Sequence, residues 1–362
     1  MLSKSIHSAV LAVVCLASPF ARAADFYAGK TLTVMVNFTA GGPTDVEARL
    51  MARHLGRHIA GAPAVVVRNM GGAGGVIGVN WLGEIAPADG LTLGYLTGAA
   101  SKSAIGESGI RVDLAKFAFV AGGPGISVTY IRTDTPPGIK TPADIMKSGA
   151  FWAGGLAPDA DKDVRERMEL DMLGLKYHYI SNYPGSAEAR LALERSEIQM
   201  FPESMPTYRA SIEPNLVKPG TAIPVWYDPL DDGEKFIQSP DADGIAARMY
   251  PDFLKEMKGA LPTGDLWDAW RLINSVGTVF LRVLAMPPNT PHEAVAAIQA
   301  ALVQMVDDPA YRSEAMTAIK FVPRYVVDDR TETLYRAMLS PEPRLKHFIH
   351  DYVAAGRDSL GK

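Results

Sequence analysis

Cysteine is almost absent from this sequence of 362 residues, because Cys15 is the only one. It lies in an apolar run at residues 9–20 that follows Lys4 and precedes Ala21-Arg22-Ala23. A basic start, a short apolar core and small residues after it are typical of an export signal, which we expect to be cleaved near Ala23. The exported chain would then contain no cysteine, which excludes disulfides, thiolate metal sites and a cysteine nucleophile.

An excess of positive charge is also lacking, since 36 lysines and arginines stand against 40 aspartates and glutamates. Residues 1–23 hold two of the basic residues and no acid, so the remaining chain has 34 basic and 40 acidic residues and a formal charge of −6. Nonspecific binding to nucleic acids needs a basic surface, and this composition disfavours it. No apolar run after the first residues is long enough to cross a bilayer as a helix.

Strand-like and helix-like stretches alternate along most of the chain. Strands are predicted at residues 31–38, 64–70, 91–97, 126–132 and 275–286 from their β-branched and apolar content. Helices are predicted at residues 44–60, 75–86, 161–173 and 287–308, and from residue 186 onward. Residues 227–268 are rich in Asp, Gly and Pro and predict a long excursion with one or two short helices. The alternation predicts an α/β fold, and the length suits two domains.

Glycine-rich turns follow the first two predicted strands, within residues 37–42 and 69–78. After the first turn, Thr44 is expected to cap the helix while Glu47 reaches back to it in a capping box. Glycine lets backbone N–H groups approach a ligand closely, and the N-terminal end of a helix favours an anion. Two such turns on neighbouring parallel strands would meet at the carboxyl edge of the sheet, where α/β folds bind ligands. The two turns therefore predict an anion-binding site.

Spacing disfavours other kinds of site. Gly72, Gly74 and Gly78 are spaced one residue too widely for a dinucleotide fingerprint, and neither G-x-x-x-x-G-K-[ST] nor G-x-S-x-G occurs. His54 and His58 lie four residues apart without the acidic partner of a zinc motif, so we interpret them as surface histidines. Asp159, Asp161 and Asp163 lack the glycine and distal glutamate of a calcium loop and predict a solvated helix entry. No metal ligand, cofactor or catalytic residue is predicted.

Two stretches of the first third of the chain resemble a known family. They are VNFTAGGPTDVEARLMARHL at residues 36–55 and VVVRNMGGAGGVIGVNWLGEIAPADGLTLGYLT at residues 65–97. Both resemble the motifs of the Bug-type extracytoplasmic solute receptors of tripartite tricarboxylate transporters, and YPGSAEARLALERSEIQMFPE at residues 183–203 is similar to a later segment of that family. The resemblance implies a periplasmic binding protein, not an enzyme, with the type II fold of two α/β lobes and a ligand cleft between them.

The resemblance also implies a division of the chain. Lobe 1 is expected to comprise residues 24–125 and 222–340, with residues 227–268 as an insertion, and lobe 2 to comprise residues 126–221. Residues 341–362 are expected to form a C-terminal helix. Crossovers between the lobes are expected near residues 97–100 and 221–224.

The implied ligand is a carboxylate held by backbone N–H groups and ordered waters in the two glycine turns. Matched to the family motif, the first turn supplies Phe38, Thr39, Ala40, Gly41, Gly42 and Asp45. The second turn supplies Gly72, Ala73, Gly74 and Gly75. The far end of the ligand is expected to meet Ala153, Gly154, Gly155, Tyr183, Gly185, Ser186, Phe201 and Ser204. Asp45 is more naturally a brace of the loop than a contact, because an acid beside a carboxylate repels it.

The sequence departs from the family where the ligand would lie. Asn37 stands where the family prefers proline, and AGGLAPDADKD at residues 153–163 replaces a more polar stretch. Leu156 and Tyr183 would tolerate a ring. We therefore expect a di- or tricarboxylate or an aromatic acid, with an aromatic acid favoured over a small hydroxylated ligand such as citrate.

The implied role is capture of the ligand by lobe closure and its delivery, by a monomer, to a membrane permease. Two alternatives remain open at this point. The same fold could act as a ligand sensor for a signalling kinase, or, less favoured, as a periplasmic enzyme. The enzyme would have to use Asp45, Glu203 or His178, the ionisable residues expected near the cleft.

Overall fold

Strands and helices alternate through the computed structural model, which describes residues 26–41, 43–105, 109–181, 183, 185–231 and 234–358. The predicted export signal and Gly42 lie outside the described residues. The strands are β1 (Thr31–Val36), β2 (Ala64–Asn69), β3 (Thr92–Leu96), β4 (Ala118–Gly123), β5 (Ser127–Arg132), β6 (Phe151–Gly154), β7 (Tyr177–Ile180), β8 (Met200–Ser204), β9 (Ala222–Tyr227), β10 (Leu230–Asp231), β11 (Phe236–Ile237), β12 (Arg248–Met249) and β13 (Arg282–Met286).

The main helices lie above and below the sheets that these strands form. They are α1 (Pro43–Leu55), α2 (Val76–Glu84), α3 (Ala99–Ile105), α4 (Asp161–Leu173), α5 (Ser186–Glu194), α6 (Met205–Thr207, continued as a π-helix over Tyr208–Val217), α7 (Tyr250–Lys258), α8 (Asp265–Val279), α9 (His292–Val306), α10 (Pro309–Ala318), α11 (Asp329–Leu339) and α12 (Pro343–Asp358). The predicted helices at 161–173 and from 186 are confirmed by α4 and α5.

The first sheet has the strand order β2-β1-β3-β13-β4. β1 runs parallel to β2 and β3, whereas β13 runs antiparallel to β3 and β4. Every residue of β3 is buried, as expected for a central strand with helices on both faces, while β2 at the edge alternates between exposed and half-buried. Helices α1, α9 and α10 cover one face, and α2, α3 and α11 cover the other. We call this sheet and its helices the first lobe.

The second sheet has the strand order β12-β9-β5-β8-β6-β7. β6 runs parallel to β7 and β8, and β5 lies antiparallel between β8 and β9. Helices α5 and α6 pack on one face, and α4, α7, α8 and α12 pack on the other. We call this unit the second lobe. Two α/β sheets with helices on both faces confirm the predicted fold class.

The chain crosses between the lobes at places that the sequence did not predict. It leaves the first sheet at the end of β4 (Gly123) and enters the second at Ser127. It returns through α8, whose Trp267 and Trp270 pack in the second lobe and whose Val276 packs in the first. The crossovers predicted at residues 97–100 and 221–224 are wrong, because the first of these segments leads into α3 of the first lobe and the second into β9 of the second.

The prediction that lobe 1 resumes at residue 222 is also wrong, because β9 begins there and belongs to the second lobe. This strand pairs with β5 through the register Ile131↔Ile223, and its Val225 and Trp226 are buried in the second lobe. Helix α12 packs on the same core through Ile349 and Val353. Sheet membership depends on pairing between distant strands, which the local composition of a strand does not reveal.

Residues 275–279 form the end of α8 and not the beginning of a strand as predicted. Their valines and threonine have β propensity, but packing decides between the two states. Trp267, Trp270, Ile273 and Val276 recur at helical spacing and are all buried. The strand of this region is therefore limited to Arg282–Met286. Within the ranges that the structure describes, no helix is long and apolar enough to cross a membrane.

Candidate ligand-binding site at the two glycine turns

The two glycine turns pack directly against each other at the carboxyl ends of β1 and β2. These strands are parallel and end in register, with Val36 opposite Asn69. A Cβ added at Gly71 would lie 2.9 Å from the backbone nitrogen of Thr39, so only glycine permits this approach. The predicted meeting of the two turns at one sheet edge is therefore confirmed.

Asn37 holds both turns and the end of β3 together, although the sequence marked it only as a departure from the family. Its side chain is fully buried. The Asn37 Nδ2 group donates to the carbonyl oxygens of Thr97 (3.0 Å) and Gly75 (3.4 Å), and its Oδ1 accepts from the Thr97 N–H (3.0 Å). Gly75 has φ +92°, and a Cβ there would overlap Asn37 Nδ2. The amide thus requires glycine at position 75.

Asp45 braces the first turn, as the sequence suggested. Its carboxylate accepts from the backbone N–H of Gly41 (2.8 Å), from Arg49 Nε (2.9 Å) and from Asn69 Nδ2 (2.9 Å). Burial by itself would raise the pKa of Asp45, but the hydrogen bonds from Arg49, Gly41 and Asn69 outweigh it and keep the pKa below its usual range. The Gly41 N–H is therefore occupied by Asp45 and is not a donor for a ligand.

The predicted capping box of Thr44 and Glu47 is wrong. Helix α1 begins at Pro43, so Thr44 already lies inside it, and its hydroxyl lies 3.1 Å from that of Thr97. Glu47 turns toward the protein interior and pairs with Arg282 at 2.7 Å. A buried cation 235 residues away competes for the carboxylate that the local motif would have used.

The tips of both turns face solvent. Thr39, Ala40 and Gly41 of the first turn are exposed, as are Gly72, Ala73 and Gly74 of the second. Gly72, Ala73, Gly74 and Gly75 all have positive φ, and the last three of them form a short 3₁₀ turn that leads into α2. The first N–H groups of a helix have no partners within the helix, so this edge can present several donors to an anion.

Lys102 lies beside the second turn and was missed by the sequence reasoning. Its Nζ is 3.5 Å from the position that a Cβ of Gly74 would occupy, and its side chain is half-buried. Among the residues that the structure describes, none forms a hydrogen bond or ion pair with this ammonium group. Its signal in the sequence was its place on the helix that follows β3, at the same edge of the first sheet. It brings a positive charge to the site.

The two lobes touch next to this lysine. Ser101 Oγ donates to Asp161 Oδ2 at 3.3 Å, which joins α3 of the first lobe to the start of α4 in the second. The next residue of α4, Lys162, donates from Nζ to the Pro202 carbonyl (3.0 Å) and lies 4.2 Å from the centre of the Phe201 ring. A lysine from each lobe therefore lies next to this interlobe contact.

The residues of the second lobe that were predicted to contact the ligand differ in how far they are buried. Side chains of Ala153 and Phe201 are fully buried, and a Cβ at Gly154 would overlap Ile198. The positions that remain partly exposed are Tyr183, Gly185, Ser186 and Ser204. The Ser204 hydroxyl lies 3.4 Å from Thr207 Oγ1, and its N–H donates to Glu203 Oε1.

Asp163 shapes the loop after β6 and corrects the prediction of a solvated helix entry. It is fully buried, and its Oδ2 accepts from the N–H groups of Leu156 (2.5 Å) and Ala157 (2.7 Å) and from the Tyr179 hydroxyl (2.6 Å). Burial raises the pKa of Asp163 above its usual range. A Cβ at Gly155 would lie 2.5 Å from this carboxylate, so glycine is required there as well.

Glu166, one turn further along α4, should make the stability of the protein depend on pH. It is buried, and neither carboxylate oxygen has a hydrogen-bond partner among the described residues. Burial and the nearby charge of Asp163 raise the pKa of Glu166 well above its usual range. The folded state therefore keeps a proton that the unfolded chain releases above about pH 4.5, so stability is complete below that pH and is lost as pH rises toward the folded pKa.

Replacing Glu166→Gln should flatten this dependence. Guanidinium unfolding between about pH 5 and about pH 7 should show the wild-type protein losing up to about 1.4 kcal/mol per pH unit through this group, and the variant losing less. The control is Glu342→Gln, because the Glu342 side chain is 73% exposed. This variant should leave the slope of stability against pH unchanged. An unaltered slope in the Glu166→Gln variant would show that Glu166 ionises normally in the folded protein.

The two histidines are not both surface residues as predicted. His54 is 4% exposed, and its Nε2 lies 2.6 Å from Glu314 Oε2 because α10 packs across this part of α1. His58 is half-buried beside Asp308, with which Arg57 also pairs. In the described ranges, no group of three or more His, Cys, Asp or Glu side chains is arranged to hold a metal ion.

The three ionisable residues considered for catalysis lie apart. His178 is exposed on β7 and stacks on Trp152 at 4.5 Å between ring centres, whereas Glu203 is buried in β8. Asp45 is bonded within the first turn. Among the described residues, no hydrogen bond or ion pair joins any two of them.

This fold of two α/β lobes is that of periplasmic solute-binding proteins. A TctC solute-binding protein from Polaromonas has a TM-score of 0.64 at 18% identity, with 91% of this chain and 99% of that chain covered. The periplasmic binding protein BugD has a TM-score of 0.56 at 17% identity, covering 92% and 98%. An R. palustris protein solved with adipate has a TM-score of 0.59 at 16% identity, also covering 92% and 98%. Likeness at such low identity establishes the fold alone.

Two curated proteins are similar to this chain in sequence. A UPF0065 protein of Agrobacterium vitis is 30% identical over 215 residues, which are 58% of this chain and 61% of that protein. Protein BugT of Bordetella pertussis is 45% identical over 85 residues, 24% of this chain and 25% of its own length. The matches thus span less than two thirds of either relative, and no model of a known protein family matches the sequence.

The resemblance to the Bug-type solute receptors is confirmed by the sequence similarity to these two relatives, and the TctC and BugD structures confirm the fold. The names of the TctC protein and of BugD both describe binding proteins and not enzymes.

Proposed function

We propose that this protein is an exported receptor that binds an organic carboxylate in the cleft and delivers it to the membrane permease of a tripartite transporter. The observation that carries the proposal is the pair of glycine turns, packed together at one sheet edge with exposed tips and with Lys102 beside Gly74. Backbone N–H groups, helix N-termini and one cation favour an anion at this edge. The adipate bound to an R. palustris protein of the same fold supports a carboxylate.

Lobe closure would complete the site. The first lobe offers the two turns, and the second offers Tyr183, Gly185, Ser186 and Ser204, which are partly exposed at or just after the ends of β7 and β8. Contacts from both lobes to one ligand stabilise the closed arrangement over the open one. The crossovers at residues 123–127, at α8 and between α11 and α12 are the segments about which the lobes would turn. A periplasmic location, a monomeric state and ligand contacts from Phe38 and Gly42 belong to the same proposal.

The proposal is tested by isothermal titration and thermal-shift screens of the purified protein with carboxylates, amino acids and neutral sugars. Binding confined to carboxylates is expected, with stabilisation of about 2.7 kcal/mol at a hundredfold excess over the dissociation constant. A response to sugars or amides without a response to carboxylates would contradict the proposal.

Replacing Lys102→Met should weaken carboxylate binding by about tenfold or more, because a hydrogen bond to a charged group contributes roughly 1.5–3 kcal/mol. The loss should shrink as salt is added, since the lysine is only half-buried. Lys116→Met is the matched control, because Lys116 is exposed on the same lobe near Asp113. Equal affinities of the Lys102→Met variant and the wild type would remove Lys102 from the site while leaving the two turns to be tested separately.

A further inference from the structure

A cavity of about 300 Å³ lies between the lobes where the chain crosses from one sheet to the other. Its walls come from residues 123–126 of the first crossover, from residues 281–282 just after α8, from α1 and α6, and from residues 319–325. We call it the hinge pocket. Gly41 of the first glycine turn and Ser204 of the second lobe also line it, so the pocket continues from the proposed carboxylate site.

The hinge pocket has a mostly apolar wall. The larger apolar side chains on it are Val46, Ile126, Met205, Leu281, Ile319 and Phe321. This wall offers hydrocarbon surface from both lobes. A cavity of this volume with such a lining is typical of sites that enclose the body of a small organic ligand.

The charged groups of the wall are already paired. Both carboxylate oxygens of Glu47 accept from Arg282, and Oε2 also accepts from the Tyr95 hydroxyl at 3.2 Å. Arg324 pairs with Asp241 at 3.2 Å.

Most wall hydroxyls are paired as well, since Ser204 Oγ lies 3.4 Å from Thr207 Oγ1 and the Tyr95 hydroxyl 3.4 Å from that of Tyr325. A hydroxyl group entering this pocket would therefore give up hydrogen bonds to water and find few unoccupied partners, which is unfavourable. A hydrocarbon group would lose nothing and would remove apolar surface from water.

We propose that the hinge pocket receives the apolar body of the ligand, so that the protein selects carboxylic acids with a hydrocarbon ring or a long chain over compact acids such as succinate. The inference rests on the proposed carboxylate function and adds the specificity-determining wall to it. Val46 reaches the pocket from the first lobe and Ala210 from the second, and both are exposed enough to be enlarged without disturbing a core.

The test compares 3-phenylpropionate with succinate by isothermal titration. The wild-type protein should bind 3-phenylpropionate more tightly, since only this acid has a body that enters the pocket. Val46→Trp should weaken 3-phenylpropionate about tenfold or more and leave succinate within about twofold, because the indole occupies the space of the phenyl ring. Ala210→Phe should act in the same way from the opposite lobe. Val303→Trp is the control, because Val303 is a similarly exposed valine on helix α9, away from the pocket.

The outcomes separate the two claims. Succinate binding without 3-phenylpropionate binding in the wild type would overturn the hinge-pocket inference and leave the carboxylate function intact. Equal losses for both acids in the Val46→Trp and Ala210→Phe variants, with unchanged melting temperatures, would also overturn it, because the substitutions would then act on lobe closure. Failure of the wild type to bind any carboxylate would overturn the function itself and the inference with it.

Discussion

Replacing Gly75→Ala is expected to weaken carboxylate binding by about 100-fold. Alanine at φ +92° stores backbone strain, and its Cβ would overlap the Asn37 amide that ties both turns to Thr97. The second turn must shift to relieve this overlap, which displaces its N–H donors, and losing hydrogen bonds to a charged ligand, each of roughly 1.5–3 kcal/mol, corresponds to about 100-fold in affinity. Titration of the variant with the best carboxylate from the screen measures the effect.

The control for Gly75→Ala is Gly138→Ala in the second lobe. Gly138 has φ +113°, but a Cβ there would meet nothing within 4 Å. It therefore carries a comparable backbone cost without touching the glycine turns. Binding should survive in the Gly138→Ala variant, even if its melting temperature falls. Wild-type affinity in the Gly75→Ala variant would mean that the second turn does not hold the ligand.

Replacing Arg282→Met should lower the free energy of unfolding by about 3–5 kcal/mol, because it leaves the buried Glu47 carboxylate without a cation. Arg282 is 7% and Glu47 8% exposed, and the two form hydrogen bonds of 2.9 and 2.7 Å. Burial by itself would lower the pKa of the Arg282 guanidinium, but the neighbouring Glu47 and Tyr95 outweigh it and keep the pKa above its usual range. Equilibrium unfolding in guanidinium measures the loss.

The double variant Glu47→Gln/Arg282→Met tests whether the lost stability comes from the unpaired charge of Glu47 or from the missing arginine side chain. It should recover much of the stability, because no uncompensated charge remains in the interior. Arg111→Met is the control for losing an arginine, since Arg111 pairs with Glu84 at the surface, and it should change stability little. A double variant as unstable as Arg282→Met alone would show that the packing of the arginine matters more than its charge.

Local sequence was sufficient for much of the first lobe. The strands β1, β2 and β3 and the helix α9 lie close to their predicted ranges, since apolar periodicity and bounding glycines are local features. Local patterns failed where distant partners decide. Thr44 and Glu47 have the spacing of a capping box, yet Arg282 takes the glutamate. His54 has the setting of a surface residue, yet α10 covers it with Tyr311 and Glu314.

By itself the sequence determined the two glycine turns, because the need for positive φ and for close backbone approach is written in the residue types at those positions. It also determined the α/β class, because strands and helices have different apolar periods. Only the tertiary structure decided that β9 joins the second sheet, that Lys102 lies beside Gly74 and that an apolar pocket opens at the crossovers. Each of these depends on residues far apart in the chain, whose meeting follows from packing of whole elements and not from any local pattern.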